Sequence, residues 1–278
     1  MTSVSTAPSA LTRASETDHP SMPFVSQVVM MTRRSLMTSF RDPVAILPGF
    51  FINMFFLFIY TGSLGTASNF LPGLAGQSYL GFILPFSVIS ASLGTSGIAG
   101  QSIVRDIERG YFDKLLLTPI NRWALLLGPM ISASFILVLQ TLLVVGVAVL
   151  MGLRPETGIP GVAALLVLSL LTGIAFAGFT VAIALRTGSA AATQGAGFLF
   201  FPLSFLTATF VPLSLLSGWI RTAAEINPIT YIIDAGRAVL NTGWDNDIMI
   251  RALIACFVLG GITFTFALTS LRARARRK

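Results

Sequence analysis

Few residues in this 278-residue chain could do chemistry, and their spacing excludes most catalytic readings. Gly94-Thr95-Ser96-Gly97 sets a serine between glycines in an apolar stretch, which suits a nucleophile only if a histidine stands close enough to take its proton. The sole histidine, His19, lies in a polar N-terminal segment. Ser92, Ser96 and Gly100 stand four apart instead, a ridge of small residues against which a second helix can pack closely. The sole cysteine, Cys256, rules out an intrachain disulfide and a cysteine metal cluster, and no metal site is expected. No phosphate loop of the form GxxxxGK[ST] exists, because Lys114 is followed by leucines and Lys278 is terminal.

One segment does pattern for a purpose. Residues 101–122 alternate charges (Arg105, Asp106, Glu108, Arg109, Asp113, Lys114) with large apolar side chains. Gly110 can stop a helix arriving from the N-terminal side, and Tyr111 to Leu117 has the length of about two turns before Pro119. A short surface helix there, showing Phe112, Leu115 and Leu116 beside Asp113 and Lys114, would make a docking peg for another protein. The alternative is a solvated turn held at lipid headgroups.

The elements that must position this segment are membrane helices. The chain is 54% hydrophobic and only 10% charged, far from the roughly 25% charged residues of a soluble domain. Its net charge of +7 on so apolar a chain points to cytoplasmic loops and anionic headgroups, and no nucleic-acid partner is expected. Residues 1–23 are rich in Ser, Thr and Pro and read as a disordered cytoplasmic tail. Residues 24–42 place apolar side chains at helical spacing around Arg33 and Arg34, an amphipathic helix for the membrane interface, and Asp42-Pro43 ends it. The alternative reading makes it the cytoplasmic end of a long first span.

Apolar stretches of about 20 residues, the length that crosses a bilayer, occur at about 44–64, 79–100, 124–151, 162–185 and 248–271. A sixth, about 195–212, is interrupted by Pro202 and Pro212 and runs into a half-polar region, about 213–237. The fold class is therefore all-α, a six-span domain over 43–271 followed by a basic tail, 272–278. With both termini inside, fourteen of the eighteen basic residues fall on the cytoplasmic side, so the positive-inside rule selects that topology. The clear spans hold almost no acid or base away from their ends, which argues against ion coupling and against an intramembrane aspartyl protease. Asn53 and Gln140 are the polar exceptions, expected to bond between helices.

Glu108-Arg109-Gly110, followed by Leu115-Leu116-Leu117-Thr118-Pro119-Ile120, resembles the cytoplasmic coupling-helix signature of type-2 ABC exporter permeases of the daunorubicin-type drug-resistance and polysaccharide-export family. The string from Glu225 through Asn227, Pro228, Thr230, Tyr231 and Asp234 to Arg237 is similar to that family's second hallmark before the last span. The resemblance implies a six-span subunit of the bacterial plasma (inner) membrane, working as a homodimer or with a paralogous permease. Two separate ABC ATPase subunits would bind ATP and Mg, so this chain would be no enzyme and would hold no cofactor of its own. Glu108, Arg109, Gly110, Phe112, Leu115, Leu116, Thr118 and Pro119 would then couple to the ATPase.

The resemblance also places the first and fifth spans at the dimer seam beside the pathway, where phenylalanines cluster in this chain. Phe50, Asn53, Met54, Phe198, Phe201 and Phe205 are the expected path residues. An aromatic path with few polar groups suits a drug, natural product or lipid. A lipid-linked polysaccharide, or ion-coupled drug export, is the alternative. Pro212, Trp219, Asn227, Pro228 and Tyr231 mark an expected outer gate, a re-entrant helical pair with Arg221–Glu225 and Asp234–Arg237 on its faces and Trp219 and Tyr231 at the headgroups.

Overall fold

Inside a bilayer a chain has no water to satisfy its peptide groups, so it must satisfy them within its own elements. The computed structural model describes residues 22–43, 46–65, 78–198, 200–207, 213 and 216–276, and its described elements are all helical. They are α1 (Phe24–Phe40), α2 (Leu47–Leu64), α3 (Tyr79–Glu108), α4 (Tyr111–Leu116), α5 (Arg122–Leu150), α6 (Gly158–Thr187), α7 (Ala190–Phe198), α8 (Phe200–Phe205), α9 (Gly218–Ile226), α10 (Pro228–Arg237) and α11 (Asn246–Arg276). A π turn, Ala238–Thr242, joins the last two.

Four of these, α3, α5, α6 and α11, are long and apolar enough to cross a membrane. At about 1.5 Å per residue, the 30 residues of α3 reach about 45 Å, well beyond a hydrocarbon core of about 30 Å. The helix thus runs past the apolar stretch at 79–100 to Glu108. Nothing in residues 101–108 breaks a helix, so the backbone continues until Gly110, whose φ of +66° suits glycine, turns it. The first expected span is shorter here, with its apolar stretch at Gly49–Ser63 of α2. The expected span at 195–212 is described as two short helices, α7 and α8. Residues 199 and 208–212, Pro212 among them, lie outside the described residues, as do 1–21, 66–77, 277 and 278.

Helix α6 is the hub, with α3, α5, α7 and α11 packed around it. Small residues make that possible. A side chain at Gly100 of α3 would strike Thr193 and lie 2.9 Å from the Thr180 carbonyl of α6. The Thr180 hydroxyl in turn donates to the Ser96 carbonyl at 2.6 Å, so the ridge at Ser92, Ser96 and Gly100 is where α3 and α6 meet. Gly173 faces Ser134 of α5, and Gly178 faces Thr263 of α11 and Met130 of α5, each within about 3 Å of a would-be Cβ. Because lipid is as apolar as leucine, such contacts hold the helices by close packing more than by expulsion of water.

Helix α1 is separate from α2 and lies along α5, not as the end of a longer first span. It buries Met31, Ser35 and Ser39 and leaves Phe24, Val25, Val29, Met30, Met37 and Phe40 exposed, an apolar outer face fit for the membrane interface. Gly128 of α5 admits it, since a Cβ there would come within 3.0 Å of the Met31 backbone. Gly100→Val should therefore destabilise the fold by about 2 kcal/mol or more through overpacking against immovable backbone. Gly146→Ala, where α5 has open space, should be neutral or stabilising by up to about 1 kcal/mol. Thermal unfolding of detergent-purified variants by size-exclusion fluorescence measures both.

Candidate functional site

The charged segment after α3 folds as a knot of cross-helix contacts. Gly110 stops α3 and starts α4, Thr118 hydroxyl donates to the Leu115 carbonyl at 2.7 Å to close the following turn, and Asn121 caps α5 by accepting from the Trp123 N–H at 2.9 Å. Helix α1 clamps this knot from one side. Arg34 pairs with Asp106 at the end of α3, and its guanidinium lies 4.2 Å from the centre of the Tyr111 ring on α4. Gln27 accepts from the Asn121 N–H at 2.8 Å, and Arg105 lies 3.5 Å from Asp42.

The expected docking face is corrected by this arrangement. Phe112 is 0% exposed and Leu115 is buried, in a cluster shared with Met31, Ile103, Val104, Leu125, Leu126 and Leu271. They anchor α4 to the helices above it, so they cannot fill a groove on another protein. Six residues give fewer than two turns, and α1, α5 and α11 already cover the side bearing Phe112. Leu116 is half-buried. The outward face consists of Glu108, Arg109, Tyr111, Lys114, Leu117, Thr118 and Pro119. Leu117, 87% exposed, escaped the sequence reading because it stands next to two leucines that look equivalent.

At the other end of the long helices, α9 and α10 follow one another within the region 213–237, of which residues 214 and 215 lie outside the described residues. Arg221 and Glu225 pair at 2.9 Å on exposed α9, and Asp234 and Arg237 at 3.5 Å on α10. Trp219 is 71% exposed, whereas Tyr231 is half-buried and donates its hydroxyl to the Glu225 carbonyl at 2.7 Å. Pro228 begins α10, where a missing N–H costs nothing. Arg237, only 8% exposed, donates to the Phe82 carbonyl at 3.0 Å and stacks 3.6 Å from the Phe82 ring of α3. Beside it, Gly236 lies flat on Pro85 of the same helix. Thr157, in the α5–α6 connection, donates to the Val239 carbonyl at 2.7 Å and so ties down the π turn.

Between α2, α3, α7 and α8 lies a cavity of about 250 Å³. The rings of Phe56, Tyr60, Phe86 and Phe205 line it, with Asn53, Ser87, Ser90 and Gln194 as its polar groups, and no lining residue is charged at neutral pH. Of the expected path residues, Asn53 and Phe205 are in this wall. Phe50 packs against the core and Met54 is buried in it. The side chains of Phe198 and Phe201 lie outside the described residues. Asn53 donates to the Gly49 carbonyl of its own helix at 2.9 Å, not across to a neighbour as expected. Ser87, Ser90 and Gln194 were missed because isolated serines and a glutamine in apolar helices give no periodic signal.

Residues 26–241 match the ABC-2 type transporter family. The chain is also 23% identical over 252 residues to the daunorubicin resistance ABC transporter permease protein DrrB1 of Streptomyces coeruleorubidus, an alignment covering 89% of this chain and 86% of that relative. With the match running along most of its length, the protein belongs to the ABC-2 type transporter family, as a multi-pass membrane permease whose ATPase is a separate chain.

Proposed function

We propose that this permease carries a hydrophobic or amphipathic molecule (a drug, natural product or lipid) out of the cytoplasm or inner leaflet across a bacterial plasma membrane. The observation that carries this reading is the uncharged, ring-lined cavity between α2, α3, α7 and α8. Aromatic walls with a few hydrogen-bonding groups favour a flat, greasy solute and offer nothing to a coupling ion. Helix α2 packs chiefly on α3 and leaves Phe51, Phe55, Phe56 and Phe58 exposed, a face suited to a second permease copy or a paralogue that closes the cavity's open side. In this reading α2 and the region 195–212 complete six spans, and both termini are cytoplasmic.

Two ATPase subunits, binding ATP and Mg, dock on the outward face of α4. Closure of the ATPase dimer presses that face, and the anchoring of α4 through Phe112, Leu115 and the Arg34 clamp passes the movement to α1, α3 and α5 as rigid bodies. Reconstitution with the partner ATPase and daunorubicin as first probe should give ATP-dependent efflux. Efflux that survives ATP depletion but collapses with the proton gradient would establish ion-coupled export and reject this reading. Stimulation of ATP hydrolysis by lipid-linked glycan alone would shift the substrate to the polysaccharide class.

Two substitutions separate the faces of α4. Leu117→Asp should leave folding intact and weaken ATPase co-purification about thirtyfold, the effect of losing one buried anchor of an interface. Phe112→Ala should instead destabilise the permease itself by about 3 kcal/mol or more. Equal thermal stability of the two variants would show the assignment of faces to be mistaken. In the cavity, Gly94 has open space around it, so Gly94→Phe should fill the path without straining the fold. Daunorubicin efflux should fall about tenfold or more at unchanged expression and unchanged basal ATP hydrolysis.

A further inference from the structure

One side chain joins three helices at the boundary between the cavity wall and the outer pair. Asn227 is 4% exposed and makes all of its hydrogen bonds to backbone. Its own N–H donates to the Ala223 carbonyl at 3.1 Å and closes α9. Its Oδ1 accepts from the Ile229 N–H at 3.0 Å and caps α10. Its Nδ2 donates to the carbonyls of Leu203 at 2.7 Å and Leu206 at 2.9 Å, at the end of α8. The amide can be oriented only one way, because an N–H faces one side of it and two carbonyls face the other.

The last carbonyls of α8 have no partner within their helix. Surrounded by apolar side chains, such groups are costly to leave unpaired, and here Asn227 pairs the Leu203 carbonyl and that of Leu206, the residue just beyond the helix. Between those two carbonyls lie Ser204, fully buried, and Phe205, whose ring forms the cavity wall and meets Phe86 of α3 edge-on at 5.8 Å. Helix α8 can move away from α9 and α10 only by giving its carbonyls to another donor, and water is the donor that an opening to the outside supplies.

We propose that Asn227 is the positioning residue that latches the α8 wall of the cavity to the outer helical pair, and that outward release requires its two bonds to α8 to break. This rests on the export reading for its role in transport, but the latch itself is a property of the permease alone. Asn227→Asp and Asn227→Ser both keep an oxygen to cap α10 and lose the two amide N–H groups that bond the end of α8. A cysteine at Ser204, in a Cys256→Ala background, reports the opening by its reaction with a membrane-impermeant maleimide added from outside.

In membranes without ATP, both variants should raise the labelling rate at position 204 about tenfold over Asn227, the population shift expected from losing two net hydrogen bonds. Asn227→Ala, which also loses the cap, should lose folded protein as well, a separate readout. In the Asn227 protein assembled with its ATPase, labelling should rise during ATP turnover and fall back when turnover stops. Labelling that is equal in Asn227, Asp and Ser permeases overturns the latch even if efflux is normal. Labelling that responds to the variants while efflux is absent keeps the latch and rejects the export reading.

Discussion

A broken helix in a lipid environment survives only where something else satisfies the peptide groups it frees, and the end of this permease that carries α9, α10 and the π turn depends on that requirement. Between α8 and α11 the chain changes direction repeatedly, and side chains tie its turns to each other and to neighbouring helices. Asn227 serves the end of α8, Arg237 the first turns of α3 near Pro85, and Thr157 the π turn. None of these is a surface ion pair, the kind of contact that contributes about 1 kcal/mol at most. They are buried or part-buried hydrogen bonds to backbone, where the alternative is a poorly satisfied carbonyl.

The inner part of the molecule obeys a different rule. Around α6 the glycines and hydroxyl residues bring helices close enough for backbone to touch backbone, and such interfaces do not slide easily. The packing thus divides the chain into a stiff group, α3, α5, α6 and α11, and elements attached more lightly, namely α2, α8 and α9. The cavity lies between the two groups. A volume bounded on one side by a rigid wall and on the other by lightly held helices can change size without unpacking the core.

Much of this organisation was written in local signals. Gly110 and Pro119 bracket α4, Asp42-Pro43 separates α1 from α2, and Asn227-Pro228 opens α10, because turn and cap chemistry is decided by a residue and its immediate neighbours. What could not be read was direction. In and just after α4 the apolar residues Tyr111, Phe112, Leu115, Leu116 and Leu117 surround a helix too short for one face to dominate, and it is the neighbouring helices, through residues such as Met31, Ile103, Leu125 and Leu271, that decide that Phe112 points inward. Asn53 misled for a related reason: an amide in an apolar span must bond to something, and the carbonyl one turn back was nearer than any other helix. Cavity residues such as Ser87, Ser90 and Gln194 are brought together by tertiary packing alone.

The clamp on α4 shows how the two ends of the molecule can communicate without a continuous wire of contacts. Arg34 touches both Asp106, the last buried acid of α3, and Tyr111 of α4, so a push on α4 is resisted by α1 and α3 at once. Helix α3 is a single 30-residue rod whose other end carries Phe82 and Pro85, the seat of Arg237 and Gly236 from α10. A tilt of that rod by a few degrees moves its far end by a few ångströms over about 45 Å. Such a displacement exceeds the tolerance of a hydrogen bond, whose strength falls steeply beyond about 3.2 Å. The same rod borders the cavity midway along its length, at Phe86, Ser87 and Gly94. In the proposed coupling, force applied at α4 would reach the cavity wall and the α9–α10 pair through this one helix, and the bonds to give way first would be those of the lightly held helices.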